Sequence, residues 1–419
     1  MTHRFSLACL VVAVAFGPSG PASAEVGLQP VAATDSRSFG PSVRRSVGPP
    51  VRLGIDVLLS DSAHLIGGKR LGLLTNRAGV DAQGVSSIDR LARYPSARLV
   101  ALFAPEHGMR GQFAPGATVS DTVDAATGLP IYSLYGVRSA PTEAHLAQLD
   151  AVVVDLQDVG ARPFSWSVTL VRLMRASRAT GTRIIVLDRP DPLGGCVIQG
   201  PVLDTALASG VGALPVPLRH GMTLGELARF GNDALGIGAD LVVVPVQGWR
   251  RCDRWDRTGL GWVPPSPNLP DLGSVMWYPG TVLYEATNLS VGRGTDAPFR
   301  QVGAPWLDAA ALARAMRTRF GLRLDTLTLA PIAPGDGKFA GTPVHFVRLP
   351  AYAGRERADP VATALRLLDM IAELQPDSLR VDSANFARHL GVQRQGLQTE
   401  WRTEVRAFLA RRTPYLLYR

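Results

Sequence analysis

Cysteine is scarce in this sequence, and the motifs missing around it exclude several chemistries. Of three cysteines, Cys9 lies within an N-terminal apolar stretch, which leaves Cys196 and Cys252. Neither belongs to a CxxC pair or to a zinc-type Cys/His spacing. One disulfide and two buried thiols are equally compatible with the sequence. HExxH and GxxxxGK[ST] are absent, as is a GxSxG nucleophile elbow after residue 24. Gly236-Ile237-Gly238 precedes an apolar run instead of following one, and Gly292-Arg293-Gly294 lacks the third glycine of a dinucleotide loop. No metal and no cofactor are therefore expected.

Long apolar runs and basic runs are missing too. No segment after the N-terminus has about 18 unbroken apolar residues, so no membrane-spanning helix is expected once the leader is removed. The net charge is +9 and the pI near 10, but the arginines that supply most of the positive charge are scattered. Nucleic acid is accordingly not an expected partner. The charge suits either attraction to an anionic cell envelope or general solubility. Arg4, the apolar Leu7–Phe16 and Ala22-Ser23-Ala24 before Glu25 have the order of a secretory signal over 1–24. The protein is therefore expected to be exported, to the periplasm or beyond the cell. Residues 25–51, rich in Ser, Pro, Gly and Arg without periodicity, are read as a flexible spacer.

What the sequence has instead is a repeated pairing of short apolar runs with polar ends. Leu71–Leu74 ends in Thr75-Asn76-Arg77, Leu99–Phe103 in Pro105-Glu106-His107-Gly108, and Ile131–Leu134 in Tyr135-Gly136. Ala151–Val154 runs into Asp155, Gln157 and Asp158, and Ile184–Leu187 into Asp188-Arg189-Pro190-Asp191. Charge confined to the carboxyl end suits buried parallel strands covered by helices on both faces. Ligands of open α/β sheets bind outside those carboxyl ends, so the polar ends are expected to form one active-site wall. Ser165–Thr180 reads as the crossover helix between two of the strands. Thr223-Leu224-Gly225-Glu226 reads as a capping box, which gives Glu226 a structural role. Leu241–Val246 is a further strand. After the Pro-rich Pro264–Pro270 the texture becomes α+β, with helices at Ala309–Phe320 and Val361–Leu374 and a strand at Val344–Leu349.

Few Glu residues sit among other unusual residues. Glu106 follows a strand and precedes a glycine-containing polar turn, so a partly closed pocket would raise its pKa and let it act as a general acid. Glu285 lies in Tyr284–Thr295, where small and hydrogen-bonding residues suit a loop closing over a polar ligand. Asp158 occupies another strand end. Glycosidases commonly use two carboxyl groups flanking the scissile bond, and Glu106 with Asp158, or Glu106 with Glu285, would supply them. Asp155 and Gln157 share a face if their strand continues, and Arg162 would orient or pair with a carboxylate. Trp166, Trp249, Trp262, Trp277 and Tyr284 are candidate faces for sugar stacking.

These stretches resemble a known family, the exo-β-N-acetylmuramidases often called NamZ. The matching segments include Leu73-Leu74-Thr75-Asn76, Pro105-Glu106-His107-Gly108-Met109-Arg110-Gly111 and Leu129-Pro130-Ile131-Tyr132 through Gly136. They continue with Asp155-Leu156-Gln157-Asp158 through Arg162, Asp188-Arg189-Pro190-Asp191-Pro192, Arg219-His220-Gly221-Met222-Thr223, Ser266-Pro267-Asn268 and Tyr278-Pro279-Gly280-Thr281. The resemblance implies a Rossmann-like catalytic domain over 52–262, a smaller α+β domain over 263–419, and an active site in the cleft between them. It implies release of terminal non-reducing N-acetylmuramic acid from peptidoglycan-derived sugars without a nucleotide cofactor, with Glu106 as the carried-over catalytic position. The alternatives are a non-catalytic binding protein for envelope sugars and a hydrolase for another acetamido sugar. On this reading Asn76, Arg77, His107, Arg110, Tyr135, Asp155, Gln157, Arg162, Asn288 and Arg293 are expected to bind substrate. Arg77, Arg110, Arg162 or Arg293 would take the lactyl carboxylate of muramic acid. The chain has Ala286 and Val291 where the family pattern has Gly and Glu. The second of these puts strict substrate preference in question.

Overall fold

The computed structural model describes residues 50–106, 109, 120–351, 358–393 and 401–419. The expected signal peptide, nearly all of the spacer, and the candidates His107 and Arg110 lie outside the described residues. Among the described residues there are twelve strands: β1 Arg70–Thr75, β2 Arg98–Ala104, β3 Thr122–Val123, β4 Pro130–Ser133, β5 Ala151–Asp155, β6 Arg183–Leu187, β7 Gln199–Val202, β8 Pro217–Arg219, β9 Leu241–Val244, β10 Gln301–Ala304, β11 Asp325–Leu329 and β12 Val344–Arg348. The main sheet has the order β3-β4-β2-β1-β5-β6-β9. Every pairing in it is parallel except β3 with β4. Counting the parallel strands alone, the order is 3-2-1-4-5-6, that of a doubly wound sheet. The five apolar runs with polar ends are strands of this sheet, as is Leu241–Val244, and the carboxyl ends of these parallel strands share one edge.

Period-two alternation splits each central strand between two cores. Val152 and Val154 of β5 pack with Val171 and Met174 of the helix Trp166–Thr180, whereas Ala151 and Val153 pack with Ile55, Leu58, Ile88 and Leu91 on the other face. The crossover helix stops at Gly181, whose φ of 70° is the left-handed conformation that a glycine C-cap accepts without a Cβ clash. The Thr223 capping box forms as read, with Glu226 at its third helical position. Cys196 and Cys252 form a disulfide.

The smaller sheet, β10-β12-β11, is antiparallel and packs with the helices Leu272–Thr281, Ala309–Phe320 and Pro360–Leu374. Its apolar residues, among them Val302, Val347 and Leu365, continue the cluster that contains Val152 and Val154. Gly280 is where two of these helices touch: a Cβ there would lie 2.0 Å from the Pro360 carbonyl oxygen. Gly280→Ala is expected to destabilise the protein by about 1–3 kcal/mol, through overpacking against backbone that cannot move aside. Urea unfolding would show a lower midpoint at unchanged slope. One local reading needs correction. Val282–Ala286 is a turn of 3-10 helix continuing Leu272–Thr281, so Glu285 is not on a loop.

Candidate active site

The ends of β2 and β4 open onto a cavity of about 380 Å³ that also takes residues from the C-terminal region. Glu106 enters it two residues past β2, where Pro105 has ended the strand's donor ladder. Ser165 Oγ lies 3.5 Å from Glu106 Oε2, and the Tyr135 hydroxyl donates to the same carboxyl group. Burial pushes the Glu106 carboxyl above its usual range. The Arg293 charge and the hydrogen bonds from Tyr135 and Ser165 oppose that shift, and the Glu285 charge adds to it. Burial likewise raises Tyr135, reinforced by the neighbouring Glu106.

Glu285 faces the same cavity from the C-terminal region. The chain around it is fixed by a cage of carbonyls: the Lys338 ammonium donates to Thr287 O at 2.7 Å and Leu289 O at 3.1 Å, with Tyr284 O and Glu285 O at 3.4 Å. Arg293 Nε donates to Glu285 Oε1 at 3.0 Å, and its Nη2 donates to the same oxygen. Gly292 and Gly294, with φ of 79° and 76°, turn the chain on either side of Arg293. A Cβ at Gly294 would sit 2.6 Å from Ile332 O, so this sharp turn needs glycine for space as well as for φ. The Arg293 guanidinium lies 5.1 Å from the centre of the Phe299 ring.

Of the residues singled out in the sequence, Glu106, Glu285, Tyr135, Arg293 and the stacking candidate Trp166 line this cavity. The others among the described residues are placed elsewhere. Asp158 is buried: its Oδ1 accepts from Gly160 N at 2.7 Å and lies 3.5 Å from His220 Nε2. An Asx-type turn uses Oδ1, and Asp158 does not line the cavity that holds Glu106, which removes it from the candidate pair. Asp155 is held by Arg189 at 2.6 and 2.9 Å and by Ser87. Gln157 donates to the carbonyls of Asp158 and Pro190 and lines a neighbouring smaller cavity with Arg189. Asn76 donates to Pro265 O and accepts from Ala78 N, and Arg77 is exposed away from the cavity lining. Asn288 clasps Ser378 O and Arg380 N, which joins two backbone segments.

Arg162 is the largest departure. It is fully buried, and it donates to the carbonyls of Pro201, Val216, His389 and Leu390. Burial pushes its pKa down to about 9. It is a structural clamp instead of a carboxylate ligand. The polar ends of β1 and β6 are similarly consumed inside the protein, Thr75 by the Asp155 carbonyl and Asp188 by Thr223, Gly225 and Tyr418.

Residues not foreseen complete the cavity. Ser165, Val168, Thr169 and Arg172 present one face of the crossover helix, at the i, i+3, i+4, i+7 spacing that places side chains together. That spacing was available in the sequence once the helix was read. Asn268 and Tyr278 lie in the quoted Ser266-Pro267-Asn268 and Tyr278-Pro279 motifs, and Phe164 and Phe299 add ring surface to that of the expected Trp166. Trp249, Trp262, Trp277 and Tyr284 do not line the cavity; Trp277 and Tyr284 spend their polar atoms on Pro350 O and Ala364 O. Val291 is fully buried in the apolar cluster, and Ala286 is not among the residues with positive φ. Neither residue lines the cavity. Among the described residues no His, Cys, Asp or Glu cluster would hold a metal ion.

The sequence matches the family descriptions "Exo-beta-N-acetylmuramidase NamZ, N-terminal" over residues 71–273 and "Exo-beta-N-acetylmuramidase NamZ, C-terminal" over residues 276–418. It is 42% identical over 331 residues to the peptidoglycan beta-N-acetylmuramidase NamZ of Bacillus subtilis (strain 168), covering 78% of this chain and 79% of that protein. The crystal structure of a DUF1343 family protein from Bacteroides fragilis NCTC 9343 superposes with a TM-score of 0.80 at 31% identity, covering 90% of this chain and 100% of the other. A second DUF1343 family protein from that organism gives a TM-score of 0.66 at 29% identity, covering 88% and 99%. This chain belongs to the NamZ exo-β-N-acetylmuramidase family of glycoside hydrolases.

Proposed function

We propose that this protein is an exported hydrolase that removes the terminal non-reducing N-acetylmuramic acid from peptidoglycan fragments, in cell-wall turnover or recycling. The observation that carries the reading is that Glu106 and Glu285 line one cavity in unlike surroundings. A desolvated carboxyl group facing an ion-paired one across a cavity suits the two carboxyl roles of glycoside cleavage. Glu106, desolvated and pushed toward its protonated form, protonates the departing glycosidic oxygen. Glu285, held against Arg293, acts at the anomeric carbon, directly or through water. Trp166, Tyr278 and Phe299 offer ring faces to the sugar. The printed name of the Bacillus relative supports the substrate class. The N-terminal pattern and the Cys196–Cys252 disulfide support export to an oxidising compartment.

Hydrolysis of N-acetylmuramyl-β-1,4-N-acetylglucosamine by the purified protein, followed by mass spectrometry, tests the activity. Free N-acetylmuramic acid is expected. Cleavage only of an N-acetylglucosaminide would replace the substrate. N-terminal sequencing of protein recovered outside the cytoplasm tests export, with a start near Glu25 expected.

The pair also sets a pH dependence. A general acid must be protonated in the free enzyme, so kcat/KM falls as pH rises through the raised Glu106 pKa. Tyr135→Phe removes a hydrogen bond that favours the carboxylate, and the alkaline limb is expected to move to higher pH. Glu285→Gln removes a charge that raises Glu106 and leaves Arg293 uncompensated, so the residual activity's limb should move to lower pH. Shifts in the same direction for both variants would remove Glu106 from the assignment.

A further inference from the structure

Four charged side chains line the cavity among the described residues: Glu106, Glu285, Arg172 and Arg293. Arg293 is committed to Glu285 through two donors and to the Phe299 ring. Arg172 is different. It is half-buried, it lies on the cavity face of the crossover helix, and it has no ion-pair or hydrogen-bond partner among the described residues. With Glu285 and Arg293 cancelling and Glu106 acting in its neutral form, the described lining residues carry one uncompensated positive charge.

That charge has a defined distance from the chemistry. Ser165, next to Glu106, and Arg172 are seven positions apart on one helix face. At 1.5 Å per residue their backbones are about 10 Å apart along the axis. Helical side chains lean toward the N-terminus, and Arg172 shares the cavity with Glu106. A separation of this order is compatible with one sugar ring whose reacting carbon sits at Glu106 and whose lactyl substituent lies toward Arg172.

We infer that Arg172 is the specificity-determining residue that binds the lactyl carboxylate of the N-acetylmuramic acid unit. The inference rests on the function proposed above, because N-acetylglucosamine has the same ring and acetamido group but no carboxylate. Arg172 discriminates between the two sugars by leaving its guanidinium without an anion when the wrong one binds. Arg is suited to this, since its planar fork takes both oxygens of a carboxylate.

The test compares kcat/KM for N-acetylmuramyl-β-1,4-N-acetylglucosamine with that for the same disaccharide whose lactyl carboxylate is capped as a methylamide. Wild-type protein is expected to prefer the free acid. In Arg172→Gln that ratio should fall about 10–100-fold, the usual weight of a charge-assisted hydrogen bond. Arg172→Met, which keeps the apolar stem, repeats the measurement if the Gln variant does not fold. An unchanged ratio in a folded variant overturns the inference while leaving the activity intact. If wild-type protein cleaves neither sugar, the activity proposal fails. Calorimetric titration of free N-acetylmuramic acid and N-acetylglucosamine then decides the inference. A preference for the acid that disappears in the variant supports it, and equal affinities for both sugars overturn it.

Discussion

Replacing Glu106 by Gln is expected to lower kcat by about 10²–10⁴-fold, the contribution of a positioned general acid, without lowering stability. Gln is close to isosteric and keeps an acceptor for Tyr135 and Ser165, but it has no acidic proton to give to the leaving oxygen. The stability side follows from burial, which raises the Glu106 pKa above its ordinary value of 4.5. The folded chain thus holds this proton more tightly than the unfolded one. Stability is highest below the ordinary pKa and is lost as pH rises through the folded value, because the charged form is penalised in the cavity. Glu106→Gln removes that penalty. Its melting temperature relative to wild type should therefore be higher at pH 8 than at pH 4, while its release of N-acetylmuramic acid stays near background. A folded Glu106→Gln protein retaining most activity would exclude Glu106 as the acid.

Arg162→Met is expected to do the reverse, costing about 3–5 kcal/mol of stability by stranding buried partners. The guanidinium joins Pro201 and Val216 near the β7–β8 ribbon to His389 and Leu390 in the last turn of the helix Ser383–Leu390. The pocket for it is fitted: a Cβ at Gly391 would lie 2.3 Å from its Nη2, and one at Gly212 would lie 3.3 Å from its Cδ. Met fills the stem's volume but donates to none of the four carbonyls. Urea unfolding should show a lower midpoint with an unchanged slope. A folded variant with unchanged midpoint and a large rise in KM would instead make Arg162 a substrate ligand. Arg162→Lys is expected to recover little, since an ammonium cannot reach four acceptors through a planar fork.

Much of the fold was legible because buried parallel strands leave a plain signature. Leu71–Leu74, Leu99–Phe103, Ala151–Val154 and Ile184–Leu187 are apolar on both faces because each faces a core, and that is visible without coordinates. The crossover helix and the Thr223 capping box were equally visible, since both depend on residues within a few positions of one another. Glu285 was misassigned to a loop because its small and polar neighbours have weak local preference. The helix before it and the Lys338 ammonium after it hold the turn instead.

The active site was legible in part, for a related reason. A polar residue at a strand end announces that it is near the sheet's carboxyl edge, but not whether it faces ligand or neighbour. Asp155, Gln157, Asp158 and Arg162 carry the same sequence signal as Glu106, yet each is engaged by internal partners away from the cavity lining. Those partners come from Arg189, Pro190 and the distant His389, which no local pattern connects to them. Arg172 went unnoticed because a lone arginine on an amphipathic helix looks like solvated surface until the cavity is placed beside it.

The sequence alone determined the parallel strands of the main sheet in their chain order, the crossover helix, the Thr223 cap and the family, because these follow from short-range patterns of burial and from motifs kept in order. Tertiary structure alone decided which charged groups meet. Glu106 and Glu285 are brought to one cavity by packing the C-terminal helices against the main sheet. Electrostatic roles depend on what lies within a few ångströms of each charge and how much water is excluded there. Neither quantity is written into the spacing of residues along the chain.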